Sequence, residues 1–143
     1  MNSKILTAQQ LKVLQHVIDS DPGFKAQGDL GAFLDSWLVC EVLAKKLIMY
    51  HKDADQLPSK WQYPELTAAL NGFGYSYDKN RVKTAFKSGE EKRSNRSARA
   101  LRNSFIHSLS KKDRLEIEDR NKELLELLSY WKETMLQGCG KLP

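Results

Sequence analysis

The chain has 143 residues, 41% of them hydrophobic and 29% charged. That suits one domain with its own core, so 1–143 is read as a single unit. No apolar run reaches the roughly 18 residues needed to cross a bilayer, and "MNSKILTAQQ" lacks the apolar segment and small-residue cleavage site of a secretory leader, so a cytoplasmic protein without membrane contact is expected.

Taken in order, the segments read as helices joined by polar connectors. Thr7 opens "TAQQ", a capping box with Gln10 at its third position, and Leu11, Leu14, Val17 and Ile18 recur at helical spacing behind it. Pro22, Gly23 and Gly28 break that helix, and Asp29 is the expected N-cap of a second, long and apolar one ending near Tyr50. A connector follows. It holds a short helix beginning at Pro64, running through Leu70 and closing at "NGFG". From about Asp78 a helical pattern resumes and continues to Leu109, with a break at Gly89. "SKKD" then caps a last helix, in which Leu115, Leu124, Leu125, Leu128, Trp131 and Met135 recur up to Gly138. Nothing alternates with the period of two that strands require. The expected architecture is all-α, an up-and-down bundle of four main helices with a short extra helix after the second.

Cys40 and Cys139 stand far apart, one in an apolar run and one near the C-terminal end, and are read as reduced thiols. Charge is distributed less evenly than the net +5 suggests. Between Lys79 and Arg114 there are 12 Lys or Arg and 3 acids, a local +9, against 11 basic and 15 acidic residues elsewhere, a local −4. Such a cluster either attracts a polyanion, with nucleic acid the commonest in a cell, or forms a solvated face.

Within that segment, "RALRNSFIHSLS" places an arginine, an amide and a histidine close together. At about 100° per residue, with Ala98 at zero, Leu101, Phe105 and Leu109 fall at about −60°, −20° and +20° and define an inward face. His107 falls at about 180°, directly away from it, with Asn103 one turn earlier. Arg102, at about +40°, borders the inward stripe, where a guanidinium needs an acidic partner or a crevice.

An Arg, a polar residue, three further residues and a His, here Arg102, Asn103, "SFI" and His107, on the penultimate helix of a small helical bundle resembles the signature of the HEPN superfamily, the higher-eukaryote and prokaryote nucleotide-binding domains. Glu41 and Lys45 in "WLVCEVLAKKLI" are similar to the Glu-x-x-x-Lys pattern in the second helix of that family. The likeness covers most of the chain in helix order, although 51–77 matches nothing in the family pattern.

The resemblance implies a two-fold homodimer whose motif helices face each other, and a metal-independent endoribonuclease needing no cofactor, of the kind found in toxin–antitoxin, phage-defence and RNA-processing systems. A His107 that points away from its own core would then point into a shared cleft. RNA cleavage without a metal needs a base for the ribose 2′-hydroxyl and an acid for the leaving 5′-oxygen, tasks suited to histidine near neutral pH. Two copies of His107 would supply them. Arg102 would stabilise charge on the phosphoryl oxygens, Asn103 would orient His107 or bond the phosphate, and Arg96 and Arg99 would hold the RNA backbone. Glu41 either fixes Arg102 or pairs with Lys45 on its own helix. The alternative is a non-catalytic helical module that binds nucleic acid or a nucleotide through 79–114.

One departure concerns regulation. Leu109 stands where family toxins paired with a nucleotidyltransferase antitoxin carry a modifiable Tyr, so an antitoxin or regulator of that type is not expected. Trp37 and Trp131 read as core, and Trp61, Tyr63, Phe73, Tyr75 and Tyr77 read as a connector packed over the bundle rather than a base-stacking platform. His16 and His51 carry no catalytic expectation.

Overall fold

The computed structural model describes residues 4–20, 22–24, 27–87 and 96–140, with side chains as far as 137. The described residues form helices and no strand: α1 (Ala8–Asp19), α2 (Gly28–Lys52), α3 (Tyr63–Gly72), α4 (Lys79–Phe86), α5 (Ala98–Ser108), α6 (Lys111–Asp119) and α7 (Asn121–Gly140). None of them is long and apolar enough to cross a membrane.

Local signals place most helix starts. Thr7 Oγ1 accepts from Gln10 N at 3.0 Å while Thr7 N donates to Gln10 Oε1 at 2.9 Å, closing the capping box of α1. Gln62 and Glu65 form the equivalent box on α3, with a proline in its first turn. Asp78 caps α4 through Asn80 N and Arg81 N. The expectation for α2 shifts slightly. Gln27 occupies the cap position and Asp29 lies in the first turn, where its negative charge favours the helix dipole. Gly31 is obligatory there, because a Cβ at that position would collide with the Phe24 carbonyl.

Two long helical patterns in the sequence are each divided in the structure. The run from Asp78 to Leu109 becomes α4 and α5, and the expected break at Gly89 lies outside the described residues. The last helix becomes α6 and α7, separated at Arg120, whose φ of −97° and ψ of 13° depart from helical values. Arg120 is held there by one tertiary bond and by local ion pairs. Its Nη1 donates to Glu116, one turn back, and to the Arg96 carbonyl, both at 3.0 Å, and periodicity along one helix cannot reveal the second.

At the centre lies α2, packed against α1, α3, α5, α6 and α7. Phe86 is the hub of an aromatic core, with ring centroids 4.7 Å from Trp131, 5.6 Å from Trp37 and 6.0 Å from Trp61. Trp131 Nε1 donates to the Cys40 carbonyl at 3.2 Å, and Cys40 Sγ donates to the Leu128 carbonyl at 3.4 Å, joining α2 to α7. Burial pushes the Cys40 thiol up to about 12, which makes it a packing residue rather than a nucleophile. The side chain of Cys139 lies outside the described residues.

The aromatic connector packs inward. Trp61 and Tyr75 are buried, and Tyr63, Phe73 and Tyr77 lie partly buried against the core. His51 rests over Gly72 and meets Phe73 edge-on at 5.9 Å, closing the end of α2 against α3.

Candidate nucleic-acid site on helix α5

Ser97 starts α5. Its Oγ accepts from Ala100 N at 3.0 Å, and its hydroxyl donates back to the Lys87 carbonyl at 2.5 Å, tying the helix start to the end of α4. Ala98, Leu101 and Phe105 are buried, and His107 is exposed on the opposite face, so the wheel geometry holds for these residues. Leu109 departs from it. The helix ends there with Leu109 in the left-handed conformation, φ 52° and ψ 31°, and its side chain turns outward to 71% exposure.

The polar residues of α5 divide by face. On one flank, Ser104 and Ser108 donate to Asp113 Oδ2 of α6 at 2.6 and 3.2 Å. Asp113 is only 5% exposed, and its other carboxylate oxygen accepts from Arg96 Nη2 at 2.8 Å. The same nitrogen reaches Glu116 at 2.6 Å, and Glu116 also receives Arg120. Arg96, Asp113, Glu116 and Arg120 therefore form one ion-pair network that clamps α5 against α6. Burial pushes the Asp113 carboxyl up, but the hydrogen bonds of Ser104, Arg96 and Ser108 and the Arg96 charge outweigh it and hold it below its ordinary value. Burial likewise works against the Arg96 charge, and Glu116 and Asp113 more than compensate.

Arg99 is engaged as well. Its guanidinium stacks on Trp61, 3.7 Å from the ring centroid, and donates to the Trp61 carbonyl at 2.6 Å and the Phe86 carbonyl at 3.5 Å. Half-burial lowers its pKa against the opposing charge of nearby Glu41. Glu41 thus lies beside Arg99, while its carboxylate is 3.9 Å from Lys45 on the same helix.

The remaining flank carries the motif. Arg102 is half-buried and donates to Asn103 Oδ1 at 3.1 Å, so guanidinium and amide are joined. His107 stands one turn beyond Asn103, exposed and without a hydrogen bond or ion pair among the described residues. The structure thus joins Arg102 to Asn103, leaves His107 open on the neighbouring surface, directs Arg96 and Arg99 into internal contacts, and places Glu41 by Arg99. No group of three or more His, Cys, Asp and Glu side chains among the described residues is arranged to hold a metal ion.

Asp113 is the principal residue that sequence patterns overlook. Ser110 does cap α6, accepting from Asp113 N at 3.1 Å, as "SKKD" suggests. The Asp113 carboxylate, instead of completing the box, faces Ser104 and Ser108. The i, i+4 spacing of those two serines was the available signal, since it puts both hydroxyls on one helix flank. Neither family models, curated proteins nor solved structures contain a match to this chain.

Proposed function

We propose that the chain is a metal-independent endoribonuclease of HEPN type, acting in the cytoplasm as a homodimer, with Arg102, Asn103 and His107 as its reactive residues. One observation carries the reading: the only imidazole on α5 is open to solvent on the face away from the core, beside an Arg102–Asn103 pair, while Arg96 just before the helix and Arg99 on it, both expected to bind substrate, are engaged internally. In this reading the helices group into four legs, α1, α2, α4 with α5, and α6 with α7, with α3 as the extra element.

The chemistry is transesterification within RNA. One His107 takes the proton of the ribose 2′-hydroxyl as that oxygen attacks the adjacent phosphorus; the His107 of the second copy gives a proton to the departing 5′-oxygen. The products are a 2′,3′-cyclic phosphate and a free 5′-hydroxyl. Arg102 faces the phosphoryl oxygens as negative charge builds on them, and Asn103 fixes the Arg102 fork in place. Arg96 and Arg99 act indirectly here, by holding α5 in position rather than by gripping RNA. A toxin or phage-defence role fits such an activity, with an antitoxin or other regulator as its partner.

The test is cleavage of RNA in EDTA with analysis of the ends. His107→Ala and Arg102→Ala should each lower the rate by about 10²–10⁴-fold. DNA, lacking the 2′-hydroxyl, should bind without being cut. Wild-type protein that binds RNA but never cleaves it, with binding unchanged by both substitutions, would overturn the nuclease in favour of the binding module.

A further inference from the structure

With Arg96 and Arg99 engaged inside the fold, the strand on either side of the reacting phosphate has no arginine of that pair to hold it. The preceding helix, α4, carries cations that are free. From Lys79 to its C-cap Lys87 it has no acidic side chain, and Lys79, Lys83 and Lys87 follow one another at i, i+4 and i+8. All three are exposed, and none has an ion pair among the described residues. Arg81 lies apart from this row: its guanidinium sits over Tyr130 of α7, 5.0 Å from the ring centre, with Asp78 at 3.8 Å.

Such a row is unfavourable for the helix that carries it. Like charges one turn apart repel, and the positive end of the helix dipole repels Lys79 in the first turn. Elsewhere Lys45, Lys52 and Arg114 each stand beside a carboxylate, on Glu41, Glu65 and Glu118. The spacing of the α4 row points to its ligand. Four residues of α-helix advance about 6 Å, close to the separation of neighbouring phosphates on one nucleic-acid strand. Asn80 and Thr84 lie beside the row, so it offers no apolar side chain to insert into lipid and no aromatic ring to stack on a base. Each step also turns by about 40° around the helix axis. A flexible single strand can follow that convex path, whereas the stiff backbone of a duplex leaves it after one or two contacts.

We propose that α4 is a phosphate track for a single strand, in which Lys79, Lys83 and Lys87 each hold one phosphate of the RNA flanking the reacting bond. The track leads toward the reactive residues. The Lys87 carbonyl accepts the Ser97 hydroxyl at 2.5 Å, so the last lysine adjoins the start of α5, and Arg102 lies about 6 Å along that helix from Ala98. Contacts to phosphates carry no base information, so binding through the track is blind to sequence. The proposal rests on the RNA-binding part of the proposed function and is independent of the cleavage chemistry.

Fluorescence anisotropy with single-stranded DNA oligomers tests it on the full chain, because DNA lacks the 2′-hydroxyl and stays intact whether or not the protein is a nuclease. Affinity should fall with salt, and the triple variant Lys79→Gln, Lys83→Gln, Lys87→Gln should make the log–log slope shallower by about 2, at about 0.7 per phosphate contact. Its affinity near physiological salt should be lower by at least about tenfold. Glutamine is as good a helix former as lysine and removes the repulsion, so helix content and melting temperature should not fall. Lys12→Gln with Lys46→Gln removes lysines of α1 and α2 that likewise have no ion pair among the described residues, and should leave the slope unchanged. A wild type that binds no single strand overturns the proposal, as does a triple variant with the wild-type slope. A control that weakens binding as much per charge removed also overturns it, assigning the attraction to net charge alone. Duplex DNA that loses affinity equally overturns the single-strand assignment. Loss of binding in the triple variant supports the track even where wild type cuts no RNA, an outcome that removes the nuclease reading alone.

Discussion

The two polar flanks of α5 are built from similar residues and behave in opposite ways. Toward α6, Ser104 and Ser108 bond a buried carboxylate that also holds Arg96. Toward solvent, Asn103 holds Arg102 and His107 stands open. Groups on the first flank have surrendered their hydrogen-bonding capacity to the fold, whereas His107 keeps its capacity for an external partner. The arginines of this region teach the same lesson. Arg96 and Arg99 belong to the motif-bearing segment as much as Arg102 does, but one is consumed by Asp113 and Glu116 and the other by Trp61. A basic cluster in sequence therefore overstates the number of arginine side chains left free to grip a polyanion.

Breaking the clamped flank should have the largest effect on stability. Asp113→Ala leaves Arg96 with one carboxylate and both serine hydroxyls without their acceptor, and should cost about 3 kcal/mol in denaturant unfolding. For a domain of this size that corresponds to a melting temperature lower by about 10 °C. Stability within about 0.5 kcal/mol of wild type would show that the clamp contributes nothing.

Acid should dissolve the same flank by another route. The folded-state pKa of Asp113 lies below its ordinary 3.8, so the unfolded chain takes up the proton first as pH falls. The stabilisation is whole above that ordinary value and is lost as pH drops through it toward the lower, folded value. Unfolding measured across this range should show a shallower pH dependence in Asp113→Asn than in wild type. Equal slopes would place the titrating group elsewhere.

Arg99 sharpens the comparison, because it lies in the motif helix but serves packing. Arg99→Ala should cost about 2 kcal/mol through lost stacking and carbonyl bonds, and a change in RNA binding without a change in stability would contradict that assignment. The smallest effect is expected on the open flank. His107→Ala should alter unfolding free energy by no more than about 0.5 kcal/mol, as at exposed positions generally, so its loss of activity would be chemical rather than structural.

Local physics made much of the molecule legible before any tertiary contact was known. The capping box of α1, the proline in the first turn of α3, the helical pattern resuming at Asp78, the Ser110 cap, and the inward Ala98, Leu101 and Phe105 all depend on residues within a few positions of one another. The outward direction of His107 follows from the same helical period. Other features depended on contacts distant along the chain. Arg120, at the end of α6, donates to the carbonyl of Arg96, 24 residues away. Arg99 lies on Trp61, 38 residues away, because the connector folds its aromatic side chains into the core. Helical periodicity determines which way a side chain points from its own axis, and so the sequence by itself placed the reactive candidates on a face. Which of those side chains remain free depends on the groups that other helices bring to meet them, and only the tertiary structure decided that.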